Sequence, residues 1–293
     1  MKGITRGGYA QPLLVQTLAL VQKFSQVYWR TPTYNATRLA LALGLSLLYG
    51  VLYFRQGGGN ATTMSPGQIQ AVMAMLYNSQ TMMGAINMMM AMPICSSERV
   101  VFYRERGGRA YDPFAHGIAQ VLLEIPYLLA QAVVFCPIAY FMIGFRPAAD
   151  KFFYFALMFF LCLALYTMLA QAMVAATPSQ AVAMVFITAI QLAFNIFGGF
   201  LIAYPAIPGW LKWVNRLVPS TWLLYGVAGS QLADSPATVE FGGRTATVEQ
   251  YMLEVFAYDR RLVPYMPLIV LVYVLFLRLL GILSLRYINY LRR

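Results

Sequence analysis

From Phe152 to Leu211 the chain runs for sixty residues without an Asp, Glu, Lys or Arg. In water such a stretch would expose more apolar surface than a folded domain tolerates. In a bilayer it is expected, because roughly 20 apolar residues cross a hydrocarbon core about 30 Å thick. Thr177-Pro178-Ser179-Gln180 divides it, and the spacing predicts two crossings, 152–176 and 181–202. The same reading places spans at 34–54, 69–93, 114–145 and 267–285. The expected fold is an all-α membrane protein with six transmembrane helices.

The net charge of +11 does not point to nucleic acid, because the basic residues flank the apolar runs and form no single patch. With the N-terminus on the cytoplasmic side, twelve Lys and Arg lie inside and eight outside, five of those eight in one long loop. Both termini are therefore expected in the cytoplasm. Of the glycosylation sequons at Asn35 and Asn60, only Asn60 then faces outward. The cysteines, Cys95, Cys136 and Cys162, are three in number and lack metal-ligand spacing. His116 is the single histidine. No metal site is expected. Met1–Gly8 is small and polar, and no cleavable leader pattern follows it.

Residues 1–33 read as a connecting segment. Pro12–Tyr28 is amphipathic and too polar to span, so it should lie in the interface. A loop of about sixty residues, 203–265, precedes the last span. Within it Trp210–Leu232 is aromatic-rich and should be interfacial or re-entrant. Gly242-Gly243 predicts a hairpin turn, and Thr247 with Gln250 a capping box.

One dense charged island, SSERVVFYRERGGR at 96–109, interrupts the apolar pattern. With the EIPY stretch downstream at 124–127, it resembles the second cytoplasmic loop and third span of G-subfamily ABC transporters, most closely the C-terminal membrane half of the full-size pleiotropic-drug-resistance type. Three further stretches carry the same resemblance: YWRTPTYNATR at 28–38, FGGFLIAYPAIPGWLKWVNRLVPSTWLLYGVAGSQLAD at 197–234, and LRYINYLRR at 285–293. The resemblance implies six helices in an ABC-2 type membrane domain, here 34–293, a cytoplasmic coupling helix and a long outer loop before the last span. It implies the membrane half of an ATP-driven exporter of hydrophobic small molecules or lipids, in the plasma membrane. The partners would be nucleotide-binding domains and a second membrane half. The chain contains no GxxxxGK[ST] motif, so ATP and Mg are expected on the nucleotide-binding partner, and the chain reads as one membrane half of a longer protein or a truncated product.

Read onto this sequence, the resemblance assigns coupling to Glu98, Arg99, Phe102, Tyr103, Arg104, Glu105 and Arg106. It assigns a substrate path to Asn78, Met82, Met83, Asn87 and Met90 on the second span and Gln191, Phe194 and Asn195 on the fifth, and an outer plug to Phe200-Leu201. Residues 83, 87 and 90 share a helical face, and methionine suits varied apolar ligands. The alternative for each is ordinary helix packing. Glu124 and Arg278 are ionisable groups inside spans; they pair with each other, or Arg278 snorkels and Glu124 reaches the coupling loop. A channel or secondary carrier is the competing function. It would call for charge rings, inverted repeats or several intramembrane carboxylates, and the sequence has none of these. An intramembrane enzyme would need a nucleophile–base constellation that one histidine supplies poorly.

Overall fold

A computed structural model describes residues 9, 11–59, 61–233 and 235–290. Ten α-helices and one two-stranded hairpin are formed among them. The amphipathic α1, Leu13–Trp29, buries Leu20, Phe24 and Tyr28 and leaves Leu14 and Leu18 exposed. Five helices are long and apolar enough to cross a membrane: α2 (Pro32–Leu52), α4 (Pro113–Ile143), α5 (Ala149–Ala176), α6 (Gln180–Phe197) and α10 (Met266–Tyr287). The sixth expected span falls in α3, Pro66–Gly107, whose Asn78, Gln80 and Asn87 keep it below that apolarity.

At 42 residues α3 is roughly 60 Å long. A capping box opens it, with Ser65 and Gln68 exchanging hydrogen bonds. Its start is tied to the long segment before α10 by Met64 N–H donating to Thr238 O at 2.9 Å. Its end is tied to the C-terminal segment by Tyr103 Oη donating to Ile288 O at 3.0 Å. The helix therefore runs the whole length of the bundle. The expected separate coupling helix is corrected here: the charged island continues α3 without a break past Pro93, because nothing from Cys95 to Gly107 interrupts helical hydrogen bonding. Pro126 and Pro137 likewise lie inside α4 without ending it, as neighbouring helices in a membrane bundle allow.

Helix α5 is the centre of the bundle, every residue from Leu161 to Ala172 being buried. Small residues set how closely its neighbours approach. A Cβ on Gly84 of α3 would stand 2.3 Å from the Tyr166 ring, and one on Gly281 of α10 would stand 3.4 Å from Ala172 Cα. Helix α6 differs sharply, burying only Ala183 and Ile187. It stops at Phe197, where Gly198 and Gly199 (φ +86°) turn the chain. Phe200 and Leu201 thus follow the helix, although the expected span continued to 202.

The segment after α6 forms the end of the molecule away from the termini. It carries α7 (Lys212–Leu217), α8 (Pro219–Gln231), strands β1 (Thr238–Phe241) and β2 (Arg244–Thr247), and α9 (Val248–Phe256). The Gly-Gly turn joins β1 and β2, and the Thr247–Gln250 box caps α9. Helix α8 is buried on all sides, resting on α5 and α10.

Candidate translocation face and coupling end

The helix interior decides the fate of the predicted path. Met83 and Asn87 are fully buried. Asn87 Nδ2 donates to Gln131 Oε1 of α4 at 2.8 Å and to Met83 O at 3.0 Å. The expectation that these two side chains face substrate is therefore corrected, because they point into the core of this helix bundle. A side-chain amide in that core needs hydrogen-bond partners, and Gln131 on α4 supplies one. Asn78 and Met82, also on the expected path, are exposed on α3 together with Met89, on the side of the helix next to the face of 83, 87 and 90. Met90 is half-buried against the cluster at the α1 end.

On α6, Gln191, Phe194 and Asn195 are half-buried. Tyr77 Oη bonds Asn195 O and Asn195 Oδ1, each at 3.0 Å, which fixes the end of α6 against α3. Phe194 packs edge-on to Tyr166, with centroids 6.2 Å apart. Phe200 stacks on Tyr77 at 5.2 Å, while Leu201 is 61% exposed. The outward face of α6, including Val185, Phe186 and Leu192, is exposed among the described residues. Tyr77, the residue joining both helices to the Phe200 segment, was not legible beforehand; an aromatic hydroxyl inside an amide-containing span is the signal that could have marked it.

At the other end the island is largely spent on contacts within this chain. Arg99 donates to the carbonyls of Val174, Thr177 and Pro178, capping the C-terminus of α5, where orphan carbonyls and the helix dipole both favour a cation. Tyr103 holds Ile288, and Arg106 donates to Leu285 O and Arg286 O, both at 2.7 Å. Phe102 is buried beside Tyr111 and His116. Glu105 accepts from Lys23 of α1 at 2.7 and 2.8 Å and from Tyr111 Oη at 2.6 Å. Burial alone would push the Glu105 carboxyl up, but these hydrogen bonds outweigh it and hold it below its ordinary value. Glu98 moves the other way, raised by burial and by the Glu105 charge against the pull of Lys23. Arg104 is exposed, Glu98 is half-buried, and Val100 and Val101 are exposed at 40% and 36%.

The intramembrane charges do not pair with each other. Glu124 accepts from Arg38 Nη1 of α2 at 3.0 Å and from Tyr28 Oη of α1 at 2.7 Å, with both ions essentially fully buried. Arg278 instead donates to Gln171 Oε1, Gly117 O and Gln120 Oε1, at 2.5, 2.5 and 2.9 Å. The expected Glu124–Arg278 bond is corrected accordingly. Arg38, one of the basic residues flanking the first span, lies in the second turn of α2 and is almost fully buried, so it needs a partner. The expected glycosylation site, Asn60, lies outside the described residues.

A family model described as "ABC-2 type transporter" matches residues 15–232. ABC transporter G family member 53 of Oryza sativa subsp. japonica is 35% identical over 287 residues, 97% of this chain and 19% of that protein. Member 40 of Arabidopsis thaliana is 34% identical over 250 residues, 85% of this chain and 17% of that one. Member 42 of Oryza sativa subsp. japonica is 31% identical over 288 residues, again 97% and 19%. The chain spans about a fifth of the length of the curated relatives it matches.

Proposed function

The chain belongs to the ABC-2 type transporter family, and from that premise we propose that it forms one membrane-spanning half of an ATP-driven exporter of hydrophobic small molecules or lipids. ATP and Mg bind a nucleotide-binding domain outside this chain. Helix α3 is the sixth crossing, both termini are cytoplasmic, and the membrane is the plasma membrane. The observation that carries this reading is the uncovered face of α6, with two buried positions in eighteen residues, beside a second helix that leaves Asn78, Met82 and Met89 exposed. A second half covering that face would leave a slit that is mostly apolar and carries few amides. Pockets for varied apolar ligands have that make-up. Gln191, Phe194 and Asn195 line it, and Phe200-Leu201 close its outer end.

The nucleotide-binding domain docks on the end of α3 through Val100, Val101, Arg104 and the exposed part of Glu98. Those groups remain after Arg99, Phe102, Tyr103, Glu105 and Arg106 have secured the helix to its own half. The result is a rigid lever: a push on Arg104 passes through Arg99 to α5 and through Arg106 to α10.

Replacement of Asn195 and of Asn87 by leucine separates path from packing. The measurement is transport of a panel of hydrophobic compounds by the full transporter in vesicles, normalised to membrane abundance. Asn195→Leu should change the order of preference among compounds. Asn87→Leu strands Gln131 and should lower abundance, at a cost of about 0.6–1.7 kcal/mol, without changing that order. An unchanged order with Asn195→Leu refutes the assignment of the path.

A further inference from the structure

At the end of the bundle away from the termini, a cavity of about 210 Å³ opens among α8, the turn after α6 and the segment after α9. Its walls include Tyr204, Trp222, Tyr225, Phe256 and Tyr258. Trp222, Tyr225 and Tyr258 form a near-parallel column, with centroids 6.4 and 4.3 Å apart and planes within 14° and 10°. Hydrogen bonds pin the rings at their edges. Trp222 Nε1 donates to Arg216 O at 2.8 Å, and Tyr225 Oη accepts from Asp259 N at 2.6 Å and donates to Asp259 O at 3.0 Å. These hydrogen bonds preset the shape of the walls, which lowers the entropic cost of binding a ligand.

Charges of both signs stand at this cavity. Asp259 and Arg216 are on its lining. The Arg216 guanidinium lies 5.4 Å from the centroid of Tyr204, and Lys212 Nζ lies 5.1 Å from the same centroid. Among the described residues neither cation has a carboxylate within ion-pair distance. Next to them, Trp210, Trp213 and Leu217 are exposed at 76%, 63% and 61%. Tryptophans so exposed beside basic residues mark headgroup depth.

Aromatic walls with a carboxylate suit a quaternary ammonium. Adjacent Lys and Arg suit a phosphate. A ligand carrying both charges a few bonds apart satisfies both halves of the site. The cavity exceeds the roughly 150 Å³ that accepts benzene in an engineered protein, so a trimethylammonium group has room. We propose that this cavity holds the phosphocholine headgroup of a phospholipid in the leaflet away from the termini, with the ammonium against Trp222, Tyr225 and Asp259 and the phosphate against Arg216 and Lys212.

The test uses the full chain in bilayer discs of phosphatidylglycerol, and equilibrium dialysis with labelled choline, inorganic phosphate and phosphocholine. Asp259→Asn keeps an oxygen for the Arg261 N–H and should weaken choline and phosphocholine roughly two- to five-fold while sparing phosphate. Arg216→Gln should weaken phosphate and phosphocholine by a similar factor while sparing choline. In native mass spectra from mixed bilayers, the wild-type chain should retain phosphatidylcholine over phosphatidylglycerol, and both variants should lose that preference. Absence of phosphocholine binding, or equal effects of each variant on choline and phosphate, overturns the site. Binding of soluble phosphocholine with no lipid preference overturns the lipid assignment.

Discussion

Removing Glu124 tests how this bundle is held at its α1 end. The carboxylate joins three helices, accepting from Arg38 of α2 at 3.0 Å and from Tyr28 of α1 at 2.7 Å, with side-chain exposures of 0% for Glu124 and 1% for Arg38. Glu124→Leu leaves the Arg38 guanidinium buried beside an apolar side chain. Breaking a buried pair from one side costs about 3–5 kcal/mol, whereas replacing both ions by apolar groups of similar size is often close to neutral. The single variants Glu124→Leu and Arg38→Leu should therefore each lower the folded-to-unfolded ratio by roughly two to three and a half orders of magnitude. The double variant should recover most of that loss. Equilibrium unfolding in mixed micelles, run as a double-mutant cycle, reads the coupling directly. The loss of the Tyr28 hydrogen bond, worth about 0.5–1.5 kcal/mol, remains in the double variant and limits the recovery. Single variants that each cost under about 1 kcal/mol and add in the double would refute the reasoning, since the pair would then be solvated or replaceable.

Two further outcomes follow from the same geometry. The Lys23–Glu105 latch is about a third exposed on each side, so it contributes at most about 1 kcal/mol. Because the folded Glu105 carboxyl is held low, that contribution is present above the ordinary carboxylate range and disappears as pH falls through the depressed value; Glu98, held high, destabilises when ionised and is relieved earlier on the way down. Limited proteolysis of α1 should therefore slow slightly on mild acidification and then accelerate, and Glu105→Gln should remove the acceleration. In the core, Gly84→Ala would set a Cβ 2.3 Å from the buried Tyr166 ring. The expected cost is about 1–3 kcal/mol, read as a lower midpoint of thermal unfolding, and Tyr166→Leu in the same chain should restore part of it.

What the sequence determined by itself was mostly one-dimensional. The uncharged stretch 152–211 and its Thr-Pro-Ser break dictated two crossings, since a helix in lipid must satisfy its own backbone and carry few charges. The observed helices α5 and α6 begin and end within a few residues of that reading, apart from the early stop of α6 at Phe197. The Gly-Gly turn and the Thr247–Gln250 box were equally legible, because turn and cap chemistry is local. The charged island was also visible as an island. Its use was not: that Arg99 caps α5 and Arg106 holds α10 depends on which helix ends converge there.

Tertiary structure decided everything that turns on rotation or partnership. Residues 83, 87 and 90 share a face in any helix, but only the position of Gln131 on α4 makes that face the inside one for Asn87. A turn of about 100°, one residue, separates it from the exposed Met82 and Met89. Glu124 demanded a partner, and the sequence pointed to Arg278, the other ionisable group inside a span, or to the coupling loop. Arg38 counted there only among the basic residues flanking the first span. The packing of α1 and α2 against α4 chose Arg38, and the amides of α4 and α5 took Arg278. Charge pairing inside a bundle is set by which helices touch, and a linear pattern of hydropathy carries no record of neighbours.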